Sequence, residues 1–439
     1  MDIKLILEFL VILGALAMGA RAGGVGLGLW GAVGMLVLIV GFGVPPGSIP
    51  GDVILIVLTV IMAASAMEVA GGIDFLVRVA ERIIRKNPKQ VTIVAPLVTY
   101  GFTFAAGTGH IVYPLLPVIY EVAHENGIRP ERPMAIATIA SQQAITASPV
   151  SAATAAMITL LEPHGFGLTQ ILLICVPSTL LAVFIAAVVQ LRVGKELKDD
   201  PEYQRLLASG ELQPPGKMTG SAPPPLKEGA KMSALIFLTG VALVVLAGIF
   251  PVLRTVAGTA VTMANSIAIV MLAVAALILT MTKVPVGDVP KCKTCQSGVS
   301  AIVGILGLAW LGDTFMDANS EVIIGSLKNM ATAAPWTFSI GLFVASMLLF
   351  SQAATAKTLM PLGLQLGIPA PFLIGMFPAV NGYFFIPNYG TIIAAIQFDR
   401  SKTTRIGKYL LNHSFMLPGL ICTVGAVTFG LLIASFFPK

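Results

Sequence analysis

Apolar stretches recur along the whole chain, at roughly 4–20, 24–44, 52–70, 134–161, 167–191, 232–251, 257–282, 296–312, 370–397 and 409–436. A helix needs about 20 predominantly apolar residues to cross the hydrocarbon of a bilayer. In that solvent a spanning segment must satisfy its own backbone, so these ten stretches read as transmembrane α-helices. Only 11% of the 439 residues are charged and 56% are hydrophobic, whereas a soluble domain carries about 25% charged residues. Such a chain cannot coat a water-facing surface, which excludes a cytosolic enzyme, a nucleic-acid binder and a disordered protein. The 27 Lys and Arg outnumber the 21 Asp and Glu, but the basic residues stand in short loops between apolar runs. There they report membrane orientation. The first apolar stretch follows only Met-Asp-Ile-Lys and lacks a small-residue cleavage site. It is expected to stay as a spanning helix, not to leave as a signal peptide.

Two apolar stretches do not fit a single crossing. Between Lys89 and Glu121 lie 31 uncharged positions, too many for one upright helix and too few for two. Their middle reads Ala106-Gly107-Thr108-Gly109-His110, with Pro114 and Pro117 beyond, a helix-breaking pattern. A re-entrant helical hairpin over about 91–120 is predicted. The second misfit, 336–366, is broken around Ser351-Gln352-Ala353-Ala354-Thr355 with Pro361 beyond. The two are related: Pro88 and Pro335, Thr108 and Thr355, and Pro114 and Pro361 each stand 247 residues apart. In both halves an amphipathic stretch (74–87 and 317–333) leads into the hairpin, and a broken crossing helix follows. That pattern is an internal repeat.

Charge sets the orientation. Arg78, Arg82, Arg85, Lys86 and Lys89 place the first amphipathic stretch in the cytoplasm, while Asp313, Asp317 and Glu321 place its counterpart outside. The loops holding Arg129 and Arg132, and Arg400, Lys402, Arg405 and Lys408, are then inside, and both termini are periplasmic. The expected organisation is an inverted repeat at 1–191, a cytoplasmic linker at 192–231 and a second inverted repeat at 232–439.

In transporters built this way the substrate sits near the midplane, where hairpin tips and unwound helices of both halves meet. Four polar patches qualify. They are Gly107, Thr108, Gly109 and His110; Ser141, Gln142 and Gln143 with Thr146, Ser148, Pro149 and Ser151; Ser351, Gln352 and Thr355; and Asn381 with Pro387, Asn388, Tyr389, Gly390 and Thr391. They offer hydroxyls, amides and free N–H groups with no acidic side chain, and helix N-termini favour anions without a formal cation. The predicted ligand is a small anion. Any one hydroxyl could merely bond its own helix or a neighbour, but four patches at repeat-related positions point to a site. Lys357 is the only formal charge between Lys328 and Asp399. An isolated ammonium in hydrocarbon costs at least about 2.5–3.5 kcal/mol, so it must reach water, a carboxylate or backbone carbonyls; it either snorkels outward or faces the cavity and pairs with a substrate carboxylate.

Other features read more plainly. Gly24, Gly26 and Gly28 open an apolar span with no strand before them, which fits helix packing. Glu8 and Glu68 lie near span ends, where water is within reach, and Glu81 with Arg85 forms an i, i+4 surface pair. Cys175 and Cys422 are packing residues, and Cys292-x-x-Cys295 lacks a second Cys or His pair to complete a metal site. No nucleophile–base set, metal cluster or phosphate loop is present, so neither catalysis nor a cofactor is expected.

Several segments together carry a resemblance. They include Arg85-Lys86-Asn87-Pro88-Lys89, Gly107-Thr108-Gly109-His110, Arg129-Pro130-Glu131-Arg132-Pro133, Ala147-Ser148-Pro149-Val150-Ser151, Ser351-Gln352-Ala353-Ala354, Gln397-Phe398-Asp399-Arg400-Ser401 and Asn412-His413-Ser414. Over essentially its whole length the chain resembles the anaerobic C4-dicarboxylate transporters, the Dcu family of the wider ion-transporter superfamily. Ser351–Lys357 and Ala309–Phe315 look like the A-type branch, and Gly109-His110 looks more like the B-type. The resemblance implies an all-α inner-membrane antiporter of fumarate, succinate, malate and aspartate. It also implies a homodimer with a scaffold and a moving, elevator-like transport domain, and in some B-type relatives a partner sensor kinase. Pro387-Asn388-Tyr389-Gly390 departs from the Pro-Thr-Tyr-Pro common in the family. A cation-coupled dicarboxylate symporter and a cation/proton antiporter of similar fold are the alternatives; the latter needs a midplane Asp or Glu, which neither 134–161 nor 370–397 contains.

Overall fold

The computed structural model describes residues 3–438 apart from 23–24, 48, 50, 213, 215–224, 305, 308–309, 316, 320–333, 350, 388 and 408–410. Helices dominate it. Among the described residues the one sheet is a two-stranded ribbon pairing Thr255–Val256 with Thr259–Ala260. Six segments among the described residues are long and apolar enough to cross a bilayer: Gly51–Val69, Glu131–His164, Leu168–Gln190, Ala230–Ile249, Met263–Thr282 and Met416–Ala434. Large apolar side chains such as Leu173, Phe184, Leu243, Leu272, Leu277, Val424 and Leu432 stand exposed on these helices. A water-soluble protein would bury that surface; in hydrocarbon it is the face that meets lipid. The chain is a multi-pass, all-α membrane protein.

Several boundaries differ from expectation, each for a local reason. The stretch read as starting at 257 begins with the ribbon turn at Ala257 and Gly258, both at positive φ, and its helix starts only at Met263. Thr262 caps that helix by accepting the Asn265 N–H at 3.2 Å. Residues 411–415 of the last stretch form a turn and an isolated bridge, so its helix starts at Met416. Helix Lys293–Gly304 starts three residues early because the Glu68 carboxylate accepts the Thr294 N–H at 2.9 Å and the Lys293 N–H at 3.3 Å. Glu68 thus has a use that needs no water. Glu8 also differs: it is 1% exposed and accepts from Asn319 Nδ2 at 2.6 Å.

The predicted amphipathic stretch at 74–87 is helix Gly72–Lys86, which buries Leu76, Ala80 and Ile84 at four-residue spacing. Its counterpart at 317–333 lies mostly outside the described residues. Interrupted helices follow the same order twice. Helix Val91–Ala106 stops at Gly107 and resumes through Gly109–Leu115 into Leu116–Glu125. Helix Phe338–Leu349 is followed by an extended Ser351 and helix Gln352–Gln365. Glu131–Gln143 is separated from Ala152–Leu161 by a 3-10 turn and an extended Ser148. Ala370–Met376 runs through a 3-10 segment, Phe377–Phe384, before a helix restarts at Gly390–Phe398.

The linker is clamped onto this body near its start. Arg129 Nη1 pairs with Asp200 at 2.6 Å, and Arg132 donates to Val193 O at 2.8 Å and to Glu196 at 2.9 Å. Asp200 also caps helix Pro201–Ala208 by accepting the Glu202 and Tyr203 N–H groups. Burial pushes the Asp200 carboxyl up, but the Arg129 hydrogen bond outweighs it with those two backbone donors, and the carboxyl ends below its ordinary range.

Candidate functional site

The breaks in both halves meet. Gly107 stops its helix in the left-handed region, φ 71°, with its N–H bonded to Thr103 O at 2.8 Å. A Cβ there would lie 2.8 Å from the Val150 carbonyl oxygen, so the first break rests on the 148–151 interruption. Only glycine fits. A Cβ on Gly109 would collide with the Gln142 side-chain amide, so the same break also touches the end of helix Glu131–Gln143.

From Gln142 a run of amides crosses between the halves. Gln352 Nε2 donates to Gln142 Oε1 at 3.1 Å and to Asn381 Oδ1 at 3.3 Å. Asn381 Nδ2 donates to Gln143 Oε1 at 3.2 Å and to Pro378 O at 3.1 Å, and Gln143 Nε2 donates to Thr423 Oγ1 at 3.1 Å. Asn381 adopts a non-helical φ/ψ of −96°/30° to make these bonds. The five side chains are all buried. Neutral amides at helix breaks can donate to an anion and accept from a hydroxyl, with no formal charge of their own.

Other expected site residues fall into two groups. Thr108 and Gly107 line a cavity of about 140 Å³ together with Val150, and with Val57, Ala64, Thr294 and Gly298 on the facing helices. A cavity of that order is large enough for a small ligand. Ser141, Thr146, Ser148 and Thr355 instead donate to backbone carbonyls, of Thr138, Gln143, Phe104 and Ser351 respectively. Those four use their protons as packing hydroxyls do, and Ser148 at 2.7 Å ties its interruption to helix Val91–Ala106. Ser351 Oγ accepts the Ala354 N–H at 3.2 Å as a helix cap. Pro149 and Pro387 are buried at the two interruptions, Tyr389 is half-buried, and Thr391 is fully buried. Asn388 lies outside the described residues, as does the His110 side chain.

Lys357 has a protein partner: its Nζ is 3.3 Å from Asp313 Oδ2, with both side chains largely buried. Thr423 joins the amide run from the last helix, and an isolated threonine in an apolar stretch gives no signal of such a role.

A family model described as anaerobic C4-dicarboxylate membrane transporter matches residues 4–438. The C4-dicarboxylate transporter DcuA of Escherichia coli (strain K12) is 43% identical over 435 residues, covering 98% of this chain and 99% of that protein. DcuA of Wolinella succinogenes is 44% identical over 432 residues, with 98% and 99% covered. The anaerobic C4-dicarboxylate transporter DcuB of Shigella flexneri is 37% identical over 439 residues, with 98% of each covered. Among solved structures, the YdaH transporter of Alcanivorax borkumensis aligns with a TM-score of 0.57 at 15% identity, covering 100% and 99% of the two chains. MtrF of Neisseria gonorrhoeae aligns with a TM-score of 0.56 at 12% identity, covering 98% and 95%. These two likenesses concern the fold alone.

Proposed function

The chain belongs to the anaerobic C4-dicarboxylate membrane transporter family, and from that membership we propose that it exchanges fumarate, succinate, malate and aspartate across the bacterial inner membrane. It is a transporter, not an enzyme. The observation that carries the exchange reading is the neutral amide run Gln142–Gln352–Asn381–Gln143. Its members come from helix breaks on both sides of the linker, and it contains no carboxylate to carry a coupling cation. Helix ends around it supply N–H donors suited to anions.

The transport reading includes an organisation. Ten crossings and two re-entrant hairpins form inverted repeats at 1–191 and 232–439, with both termini periplasmic and the chain a homodimer. The cavity beside Thr108 supports a moving part: one wall is the first break, and the other is Gly51–Val69 with Lys293–Gly304. A ligand at such a boundary travels if one wall slides past the other, as in an elevator.

The test is counter-flow of labelled succinate in proteoliposomes with and without internal fumarate. Uptake far faster into loaded vesicles is expected. Equal uptake into empty vesicles would refute exchange, and no uptake into either would refute dicarboxylate transport.

A further inference from the structure

We propose that one substrate carboxylate binds at the start of helix Gly390–Phe398, held by the hydroxyls of Tyr383 and Thr391, so that Tyr383 is a further substrate-binding residue. The proposal rests on the transport reading above and deepens it by assigning one end of the ligand. Its first support is a pair of orphans. Tyr383 Oη and Thr391 Oγ1 have no hydrogen-bond partner among the described residues, although Tyr383 is 2% exposed and Thr391 not at all. Buried hydroxyls in folded proteins are paired in the large majority of cases, because an unpaired one is costly. Two orphans nine positions or fewer apart in one interrupted segment point to a partner that enters and leaves.

The second support is the helix start itself. Thr391 stands in the first turn of a nine-residue helix whose N-cap, Tyr389, supplies no side-chain cap. The Tyr383 ring packs on that same Tyr389, with centroids 4.8 Å apart. The corresponding restart in the other half is closed. There Ser151 Oγ accepts the Thr154 N–H at 3.0 Å and donates to Ile145 O at 2.6 Å. Tyr113 of the first break packs against this start, since a Cβ on Gly390 would come within 2.6 Å of its hydroxyl, and Gly390 itself is exposed. Glycine therefore lets the Tyr113 hydroxyl come close to a helix end whose N–H groups and hydroxyls can donate to a carboxylate without any formal cation.

Tyr383→Phe removes one oxygen and tests the assignment. Purified wild type and variant are compared for succinate affinity and for thermal stability without ligand. Stability is expected to hold or rise, because an orphan has gone, while the Kd for succinate rises about tenfold, as for loss of a hydrogen bond to a charged group. Thr391→Val should act in the same direction, with Thr391→Ser restoring affinity, and this pair carries the test if Tyr383→Phe does not fold. Wild-type affinity in Tyr383→Phe and Thr391→Val, whatever their stability, overturns the proposal. A wild-type protein that handles no dicarboxylate at all removes the transport reading instead, so the two failures are separate.

Discussion

Replacing Asn381 by leucine keeps most of its volume and deletes three hydrogen bonds: those given to Gln143 Oε1 and Pro378 O, and the one received from Gln352 Nε2. Gln352 keeps Gln142 as an acceptor. The Gln143 oxygen and the Pro378 carbonyl lose this partner at a fully buried position. An orphaned buried polar group costs about 1–3 kcal/mol, so the substitution should destabilise by about 2–6 kcal/mol. Unfolding in detergent can be followed with a maleimide dye, because Cys175 and Cys422 are buried free thiols. The sharper test is a cycle with Gln143→Leu. If the amides form one network, the double variant restores apolar pairing and the two penalties fall short of adding by at least about 0.5–1 kcal/mol. Strict additivity, or Asn381→Leu within about 0.5 kcal/mol of wild type, would refute a coupled run of amides.

Three further outcomes follow from the geometry. Gly109→Ala drives a methyl into the Gln142 amide and should cut succinate uptake at least about tenfold at normal expression; unchanged uptake would separate the first break from the site. Lys357→Met should destabilise the protein by leaving Asp313 unpaired, and adding Asp313→Asn should recover much of the loss; a double variant no better than the single would show that the pair is not the reason. Because the folded Asp200 carboxyl lies below its ordinary range, its contribution to linker docking is full above an unfolded pKa of about 3.9 and fades as pH falls through the lower folded value. Limited proteolysis of residues 195–212 should therefore stay slow at pH 5 and accelerate in more acid solution, whereas Arg129→Met should make it fast at both. Equal rates for wild type and Arg129→Met would refute the clamp.

The all-α membrane class and the helix breaks were legible because their causes are local. Apolar length marks the crossings, and Gly107, Ser351 and Ser148 interrupt helices where glycine, serine and flanking prolines stand. The pairing was not. Gln142 and Gln352 are 210 positions apart, and amides carry no signature that says which other amide they meet. Nothing in the sequence pairs Asp313 with Lys357, 44 positions further on, which the fold brings to 3.3 Å. Glu8 stands near a span end, yet it is buried, bonded by Asn319 and 3.7 Å from the exposed Lys4 ammonium. Tyr383 carries no sequence signal of a site, since only the fold leaves its hydroxyl without a partner among the described residues.

The neutrality of the amide run has an electrical consequence. Gln142, Gln352, Asn381, Gln143 and Thr423 carry no charge at any cellular pH, so a site built on them would add no gating charge as it moved. Membrane voltage would then act on the cargo alone, at about 2.3 kcal/mol per charge per 100 mV. A lone dianion entering a cell 100 mV negative inside would face about 4.6 kcal/mol, while two dianions swapped in opposite directions would feel none. Under the exchange reading, succinate–fumarate turnover is indifferent to a clamped potassium diffusion potential. An ionised Gln352→Glu carrier would keep that indifference over a full cycle, because its extra charge crosses the field once in each direction, although each half-step would then move three charges instead of two.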